Sequence, residues 1–115
     1  MSIKRTEPGP IMSRVVEHNG VVYVCGLTAD DRSVSIKEQT EQVLAKIDEY
    51  LAGAGSSRSK LLTATVYLSE MSLKPAMNEV WQAWIDPGNP PTRACVGTAL
   101  GTSNTLVEIV VSAAK

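Results

Sequence analysis

The fold is decided by Leu106-Val-Glu-Ile-Val-Val-Ser-Ala-Ala114, which is typical of a β-strand that is apolar on both of its faces. Alternate residues of a strand share a face. One face carries Val107, Ile109, Val111 and Ala113, and the other carries Leu106, Glu108, Val110, Ser112 and Ala114. Both sets are largely apolar, so we expect both faces of the sheet to be buried.

A β-hairpin is expected near the N-terminus. Residues 13–18 and 21–26 are typical of strands, and the second segment is rich in β-branched residues. Asn19-Gly20 between them is the strongest short hairpin signal, since both residues tolerate a positive φ. Pro8-Gly-Pro10 ahead of the hairpin is typical of a loop.

Two helices are expected. The first begins near Ser35, because Ser35-x-x-Glu38 fits a capping box, and its apolar face repeats at spacings of three and four. The second runs from about residue 73 to residue 85, with Ser72 as N-cap and Pro75 in the first turn. Its predicted buried stripe consists of Met77, Val80, Trp81 and Trp84.

Three more strands complete the pattern, at residues 61–68, 93–100 and 106–114, and the last two are expected to pair with each other. The order ββ-α-β-α-ββ indicates an α+β domain in which two helices cover one face of the sheet. The other apolar face then needs another subunit, so we expect a homo-oligomer.

Composition excludes several classes of protein. The chain has 115 residues, which predicts a single domain spanning 1–115, and its 11 basic and 12 acidic side chains give a net charge of −1. This balance argues against a general nucleic-acid or membrane-surface binder. One histidine excludes sites that need two, and two cysteines are too few for a disulfide scaffold. With no secretory signal and no long apolar run, we expect a cytoplasmic protein with reduced thiols.

Glu108 is the first candidate for chemistry, because it stands alone in an apolar strand. Either it faces water at a sheet edge, or it has a cationic or hydrogen-bonding partner. Arg93 is the natural partner, and it shares a strand face with Cys95. If the last two strands pair through an even-length connection, Glu108 lies on the Arg93 face, opposite Gly97 or Cys95. An odd-length connection puts it on the other face.

The remaining polar candidates have plain structural interpretations beside the functional ones. Cys95 and Cys25 lie in apolar strands, and inert packing is the commoner role of such cysteines. Asn78 adjoins the apolar stripe of the second helix, where a boundary polar residue is ordinary. Arg93 by itself is more often a surface or salt-bridge arginine.

The C-terminal segment nevertheless carries a distinctive combination. The combination is Pro91-Thr-Arg-Ala-Cys-Val96 followed by Val107-Glu-Ile109, in which Glu108 comes 15 residues after Arg93. It resembles the signature of the RidA (YjgF) family of enamine/imine deaminases. The Asn-Gly hairpin, the long capped helix and Met77-Asn-Glu-Val-Trp-Gln-Ala-Trp84 fall in the family's order, so that the resemblance covers nearly the whole chain.

The resemblance implies a fold, an assembly and a site. The fold is the chorismate mutase-like one, a mixed six-stranded sheet with two helices on one face, and the assembly is a homotrimer with active sites in the clefts between subunits. Arg93 would bind a substrate carboxylate, and Glu108 would position or activate water. The backbone of Cys95 would help to place the substrate, and Asn78 would line the pocket.

The sequence departs from better-known members of that family around this pocket. Ile11-Met-Ser-Arg14 stands where those members carry a tyrosine, and Cys25-Gly26 replaces a Ser-Gly pair. Cys25 and Arg14 are therefore candidate substrate-binding residues. Arg14 adds a cation near the pocket segment, and it either lies at the surface or favours a more acidic ligand.

The implied activity is hydrolysis of 2-imino acids of the 2-aminoacrylate type to 2-keto acids and ammonia, with no cofactor and no metal. An imine is already electrophilic once protonated, so orientation and proton transfer suffice. The alternative is a non-catalytic trimer that binds 2-keto acids or related metabolites. A chorismate mutase-like activity is a less favoured interpretation. Its dicarboxylate substrate calls for several cationic contacts, and Arg93 and Arg14 are too few for them.

Overall fold

A computed structural model describes residues 2–115 as one mixed sheet with two helices. The sheet order is β1-β2-β3-β6-β4-β5, in which β4 and β5 are parallel and every other pair is antiparallel. The elements are β1 Lys4–Pro8, β2 Ser13–His18, β3 Val21–Leu27, α1 Ile36–Gly53, β4 Leu61–Leu68, α2 Lys74–Trp84, β5 Thr92–Gly97 and β6 Val107–Ala114. The predicted α+β class with a mixed six-stranded sheet and two helices is confirmed.

The helices pack on one face of the sheet and build the core there. On β6 the alternation is strict: Val107, Ile109, Val111 and Ala113 are buried beneath the helices, whereas the intervening residues are only half-buried. The half-buried face is the one that no helix covers. It also carries exposed Tyr23 and Val96, so it leaves apolar surface open to solvent in a single chain.

Local signals in the sequence account for the hairpin and for α1. Asn19 and Gly20 both adopt positive φ, at 52° and 76°, as the tight turn between β2 and β3 requires. Ser35 caps α1 by accepting a hydrogen bond from the backbone N–H of Glu38 at 3.2 Å. Gly55 follows the helix in the left-handed conformation, at φ 76°, where glycine avoids the strain of a side chain.

Apart from shifts of one residue at element ends, two features differ from the sequence prediction. Ser72 does not cap α2: it lies in a short 3-10 turn, Met71–Leu73, and α2 begins at Lys74 with no side-chain cap. The fifth strand ends at Gly97, short of the predicted residue 100. The sequence does not predict β1, because four of its five residues are charged or polar and they show no apolar alternation.

The predicted pairing of the last two strands is wrong. β4 lies between β5 and β6, so β5 is an edge strand that pairs only with β4. The physical reason is the crossover: a strand–helix–strand connection such as β4-α2-β5 returns the chain parallel to the strand it left. Among residues 2–115, no helix is long and apolar enough to cross a membrane.

Candidate functional site

Arg93 lies on edge strand β5 and faces the helices. Its register partner on β4 is Ala64, which is buried in the core and pairs in turn with Val111. The guanidinium carbon lies 5.3 Å from the centroid of the Trp81 ring, and Nη1 lies 4.0 Å from the sulfur of Met77. Arg93 is therefore half-buried against one side of α2.

No carboxylate among residues 2–115 pairs with this arginine. Within residues 2–115, none of the ion pairs involves Arg93, and its only side-chain hydrogen-bond contact is with the Met77 thioether. A guanidinium has five N–H donors and keeps its charge at any physiological pH. Its donor edge is thus available to an external anion, and a carboxylate fits it in bidentate fashion.

Cys95 shares β5 with Arg93, and Asn78 shares α2 with Met77 and Trp81. Cys95 is half-buried on the Arg93 side of β5 and packs against the hydrophobic core. Asn78 follows Met77 on α2, and its Oδ1 atom is buried with no hydrogen-bond partner among the described residues. An unpaired buried amide oxygen is costly, so this atom is a polar group of α2 that the described residues leave unsatisfied.

Glu108 lies on the other, uncovered face of the sheet. It pairs in register with Tyr67 of β4, which pairs in turn with Val96 of β5. Its carboxylate is half-buried and, within residues 2–115, forms no ion pair and no side-chain hydrogen bond. The alternative that placed Glu108 opposite Gly97 or Cys95, on the Arg93 face, is therefore wrong.

Gly26 explains how the carboxylate of Glu108 fits there. The pairing of β3 with β6 is irregular between Val24 and Leu27, and Gly26 lies in that irregularity. A Cβ atom added to Gly26 would overlap Oε2 of Glu108 and would lie 3.1 Å from its Cδ. The Glu108 carboxylate thus occupies the space that any other residue at position 26 would fill.

The two charged candidates cannot meet within one chain. Arg93 is level with Ala64 on β4, and Glu108 is level with Tyr67, three residues further along and one strand beyond. Ordinary strand spacing then separates their Cα atoms by roughly 14 Å, and their side chains leave the sheet in opposite directions.

Arg14 and Cys25 form a third group. Nη1 of Arg14 lies 3.9 Å from the sulfur of Cys25, and this contact raises the pKa of Arg14. Tyr50 and Glu7 are its other charged or titratable neighbours. Burial raises the pKa of Tyr50, and Glu7 adds to that shift. Arg14, the extra cation predicted near the pocket segment, is thus exposed and in contact with the Cys25 sulfur.

Two residues that matter to this geometry were not predicted as functional from the sequence. The sequence predicts a core position for Trp81, yet its ring also contacts the guanidinium of Arg93. Gly26 stands out in the sequence only as part of a pair that differs from the family. The i, i+4 spacing of Met77 and Trp81 was the available signal, since it places both on the helix face that receives Arg93.

The sheet, the two helices and the unpaired arginine define a small α+β protein with the elements of an anion-binding site. Residues 4–115 match the family model described as Endoribonuclease L-PSP. The chain is 42% identical to a RutC family protein of Haemophilus ducreyi, over 89% of this chain and 87% of the relative. It is 36% identical to the RutC family protein YoaB of Escherichia coli, over 99% of each.

Solved structures agree with these sequence matches. The crystal structure of NMB1025 from Neisseria meningitidis, a member of the YjgF protein family, superimposes with a TM-score of 0.97 at 37% identity, covering 100% of this chain and 96% of that one. The chain belongs to the YjgF/RutC family.

Proposed function

We propose that the protein is an imine deaminase that hydrolyses 2-imino acids to 2-keto acids and ammonia. The observation that carries this proposal is the half-buried Arg93, which is fixed by Trp81 and Met77 yet has no carboxylate partner within residues 2–115. A cation left unpaired in this way suits a ligand that brings its own carboxylate. Membership of the YjgF/RutC family supports the choice of substrate class.

The active form is a homotrimer whose sites combine parts of two subunits. The apolar open face supports assembly, because Val96 and Tyr23 are 40% and 51% exposed there in a single chain. The opposite orientations of Arg93 and Glu108 support a composite site, because one chain cannot direct both at a small substrate. One subunit then supplies Arg93, Cys95 and Asn78. Its neighbour supplies Glu108 and the segment around Cys25 and Arg14.

The reaction needs only orientation and proton transfer. Arg93 binds the substrate carboxylate through two parallel N–H···O bonds, which fixes the imine carbon relative to Glu108. The substrate reacts as the protonated iminium: the Glu108 carboxylate takes a proton from water as the water oxygen attacks C2, giving a neutral carbinolamine. Glu108 returns that proton to the amino group, which becomes an ammonium leaving group. The C–N bond then breaks, ammonia leaves, and Glu108 takes the hydroxyl proton as the carbonyl forms, later passing it to ammonia or water.

The test is an assay of ammonia and keto-acid release from 2-iminopropanoate or 2-iminobutanoate generated in situ by a dehydratase. The wild-type protein should accelerate release above the uncatalysed rate, and Arg93→Ala should abolish the acceleration. Arg58→Ala is the matched control, since Arg58 also lies over a tryptophan ring but is paired with Asp48. Full activity in Arg93→Ala contradicts the mechanism.

Binding of 2-keto acids without turnover of any 2-imino acid would instead favour the alternative, a metabolite-binding trimer. A shift in melting temperature with 2-oxobutanoate, together with no hydrolysis in the assay above, is the result that distinguishes it. Both functions use Arg93 in the same way, so Arg93→Ala should lose the melting shift in either case.

A further inference from the structure

We propose that Trp81 is a positioning residue for Arg93. Its indole face fixes the guanidinium while leaving the donor edge free for the substrate carboxylate. The inference rests on the proposed carboxylate-binding role of Arg93 and names the residue that makes this role possible.

The contact is suited to that task. The guanidinium lies over the Trp81 ring at 5.3 Å from the centroid, within the range of a cation–π interaction. Trp81 is only 7% exposed, and its ring packs against that of Trp84 at 5.5 Å, so the platform itself has little freedom to move. The sulfur of Met77, which is fully buried, limits the guanidinium at a second point.

The chain contains an internal comparison. Arg58 lies over the ring of Trp84 at 5.0 Å, and it also donates to Asp48 and to the backbone carbonyl of Trp84, each at 2.7 Å. Both terminal nitrogens of Arg58 thus donate to groups of the protein. Arg93 also lies over a tryptophan ring, but within residues 2–115 it has neither a carboxylate nor a carbonyl as a side-chain partner.

This difference matters for ligand binding. An arginine side chain has several rotatable bonds, and immobilising it on binding would weaken affinity for the ligand. A protein carboxylate would immobilise it too, but would occupy the donor edge and compete with the substrate. The Trp81 ring holds the guanidinium without placing a competing carboxylate on its donors, so the side chain is ordered before the ligand arrives.

The kinetic test compares Trp81→Phe, which keeps an aromatic face, with Trp81→Leu, which removes it, and uses Arg58→Gln as the matched control. A cation–π contact of ordinary strength predicts that Trp81→Leu raises KM about three- to thirtyfold with kcat nearly unchanged. Trp81→Phe should stay within about threefold, and Arg58→Gln within about twofold. An unchanged KM in Trp81→Leu overturns the proposal.

Two further measurements separate this proposal from the proposed function. Calorimetric titration with 2-oxobutanoate measures binding and needs no turnover. If the wild-type protein hydrolyses no imine, the deaminase proposal is rejected. Weaker binding of 2-oxobutanoate by Trp81→Leu than by the wild type would still support the positioning role. The second measurement needs only folded wild-type protein, so it applies even if Trp81→Leu does not fold. It is the NMR chemical shift of the Nε–H proton of Arg93. An upfield ring-current shift, retained in Arg58→Gln, supports the proposal. An unshifted signal overturns it.

Discussion

Arg93 and Glu108 lie on opposite faces of one sheet, although they stand only 15 residues apart in the sequence and neither has an ion-pair partner within residues 2–115. Partly buried charges without partners are costly in a finished structure. In the proposed composite site, each receives its partner from outside the chain, either from a ligand or from another subunit.

Substituting Gly26 by alanine should disable Glu108 without unfolding the protein. The new Cβ would overlap the flexible end of the Glu108 side chain, and not the backbone, so the carboxylate moves and the sheet remains. We expect a fall in kcat for imine hydrolysis of about 100-fold or more, since a positioned general acid or base typically contributes about 10²- to 10⁴-fold. Thermal melting should change little.

Gly53→Ala is the control for that variant, because an added Cβ at Gly53 in α1 meets nothing within 4 Å. It should leave kcat unchanged and raise stability slightly, as alanine favours helix. Equal activity of Gly26→Ala and Gly53→Ala would show that Glu108 does not take part in the reaction.

A charged residue on the open sheet face should prevent assembly. Val110 lies mid-strand on that face, half-buried in the single chain. Val110→Lys would force an ammonium group into the interface, so we expect a trimer-sized wild-type protein and a monomeric variant by size-exclusion chromatography with light scattering. Glu41→Lys on the exposed surface of α1 should not change the mass. A wild-type monomer, or a trimeric Val110→Lys, contradicts the proposed interface.

Gln39 should prove essential to stability. This fully buried side chain donates from Nε2 to the carbonyls of Val34 and Asn104, at 3.1 Å each, and its Oε1 accepts from the N–H of Leu106. Gln39→Leu would leave these groups unpaired and should lower the free energy of unfolding by about 3 kcal/mol in chemical denaturation. Gln42→Leu, which removes a single exposed hydrogen bond, should cost less than about 1 kcal/mol. Similar losses in both variants would count against this role.

Glu17 should give the protein an acid-sensitive stability. Its side chain is 7% exposed, Lys115 Nζ lies 2.8 Å from Oε1, and this contact keeps the pKa of Glu17 below its ordinary value. The stabilisation is present above the ordinary glutamate pKa of about 4.3 and is lost as pH falls through the lower folded-state pKa. Wild-type stability should therefore fall between about pH 5 and pH 3 more steeply than that of Glu17→Gln.

Glu79→Gln is the control for this pH dependence, since Glu79 is an exposed carboxylate whose partner, Lys37, is exposed as well. Its melting temperature should follow the wild-type curve across the same pH range. A Glu17→Gln curve parallel to the wild type would show that another group causes the acid sensitivity.

The elements with strong periodicity could be predicted from the sequence, and those that depend on tertiary context could not. α1, the hairpin and β4 follow from capping, turn chemistry and apolar alternation. β1 carries Lys4, Arg5 and Glu7, which suit an exposed edge strand but give no alternation to detect. Its existence depends on pairing with β2.

For the candidate site, too, the sequence predicts the residues but not their arrangement in space. Arg93 and Glu108 were identifiable as residue types out of place in apolar strands. Their relative orientation was not, because it depends on β4 lying between β5 and β6, and the two alternatives for the last connection assumed direct pairing. The crossover rule predicts the observed arrangement, since a strand–helix–strand connection such as β4-α2-β5 places β4 and β5 side by side.

Subunit complementation tests the central claim most directly. Arg93→Ala and Glu108→Gln proteins should each be inactive in imine hydrolysis, because every site in either homotrimer lacks one half. After the two are mixed, unfolded and refolded together, mixed trimers should regain a substantial fraction of wild-type activity, since some sites then combine an intact Arg93 from one subunit with an intact Glu108 from its neighbour. Mixed trimers that form, as shown by differently tagged subunits, and yet stay inactive would contradict a site shared between subunits.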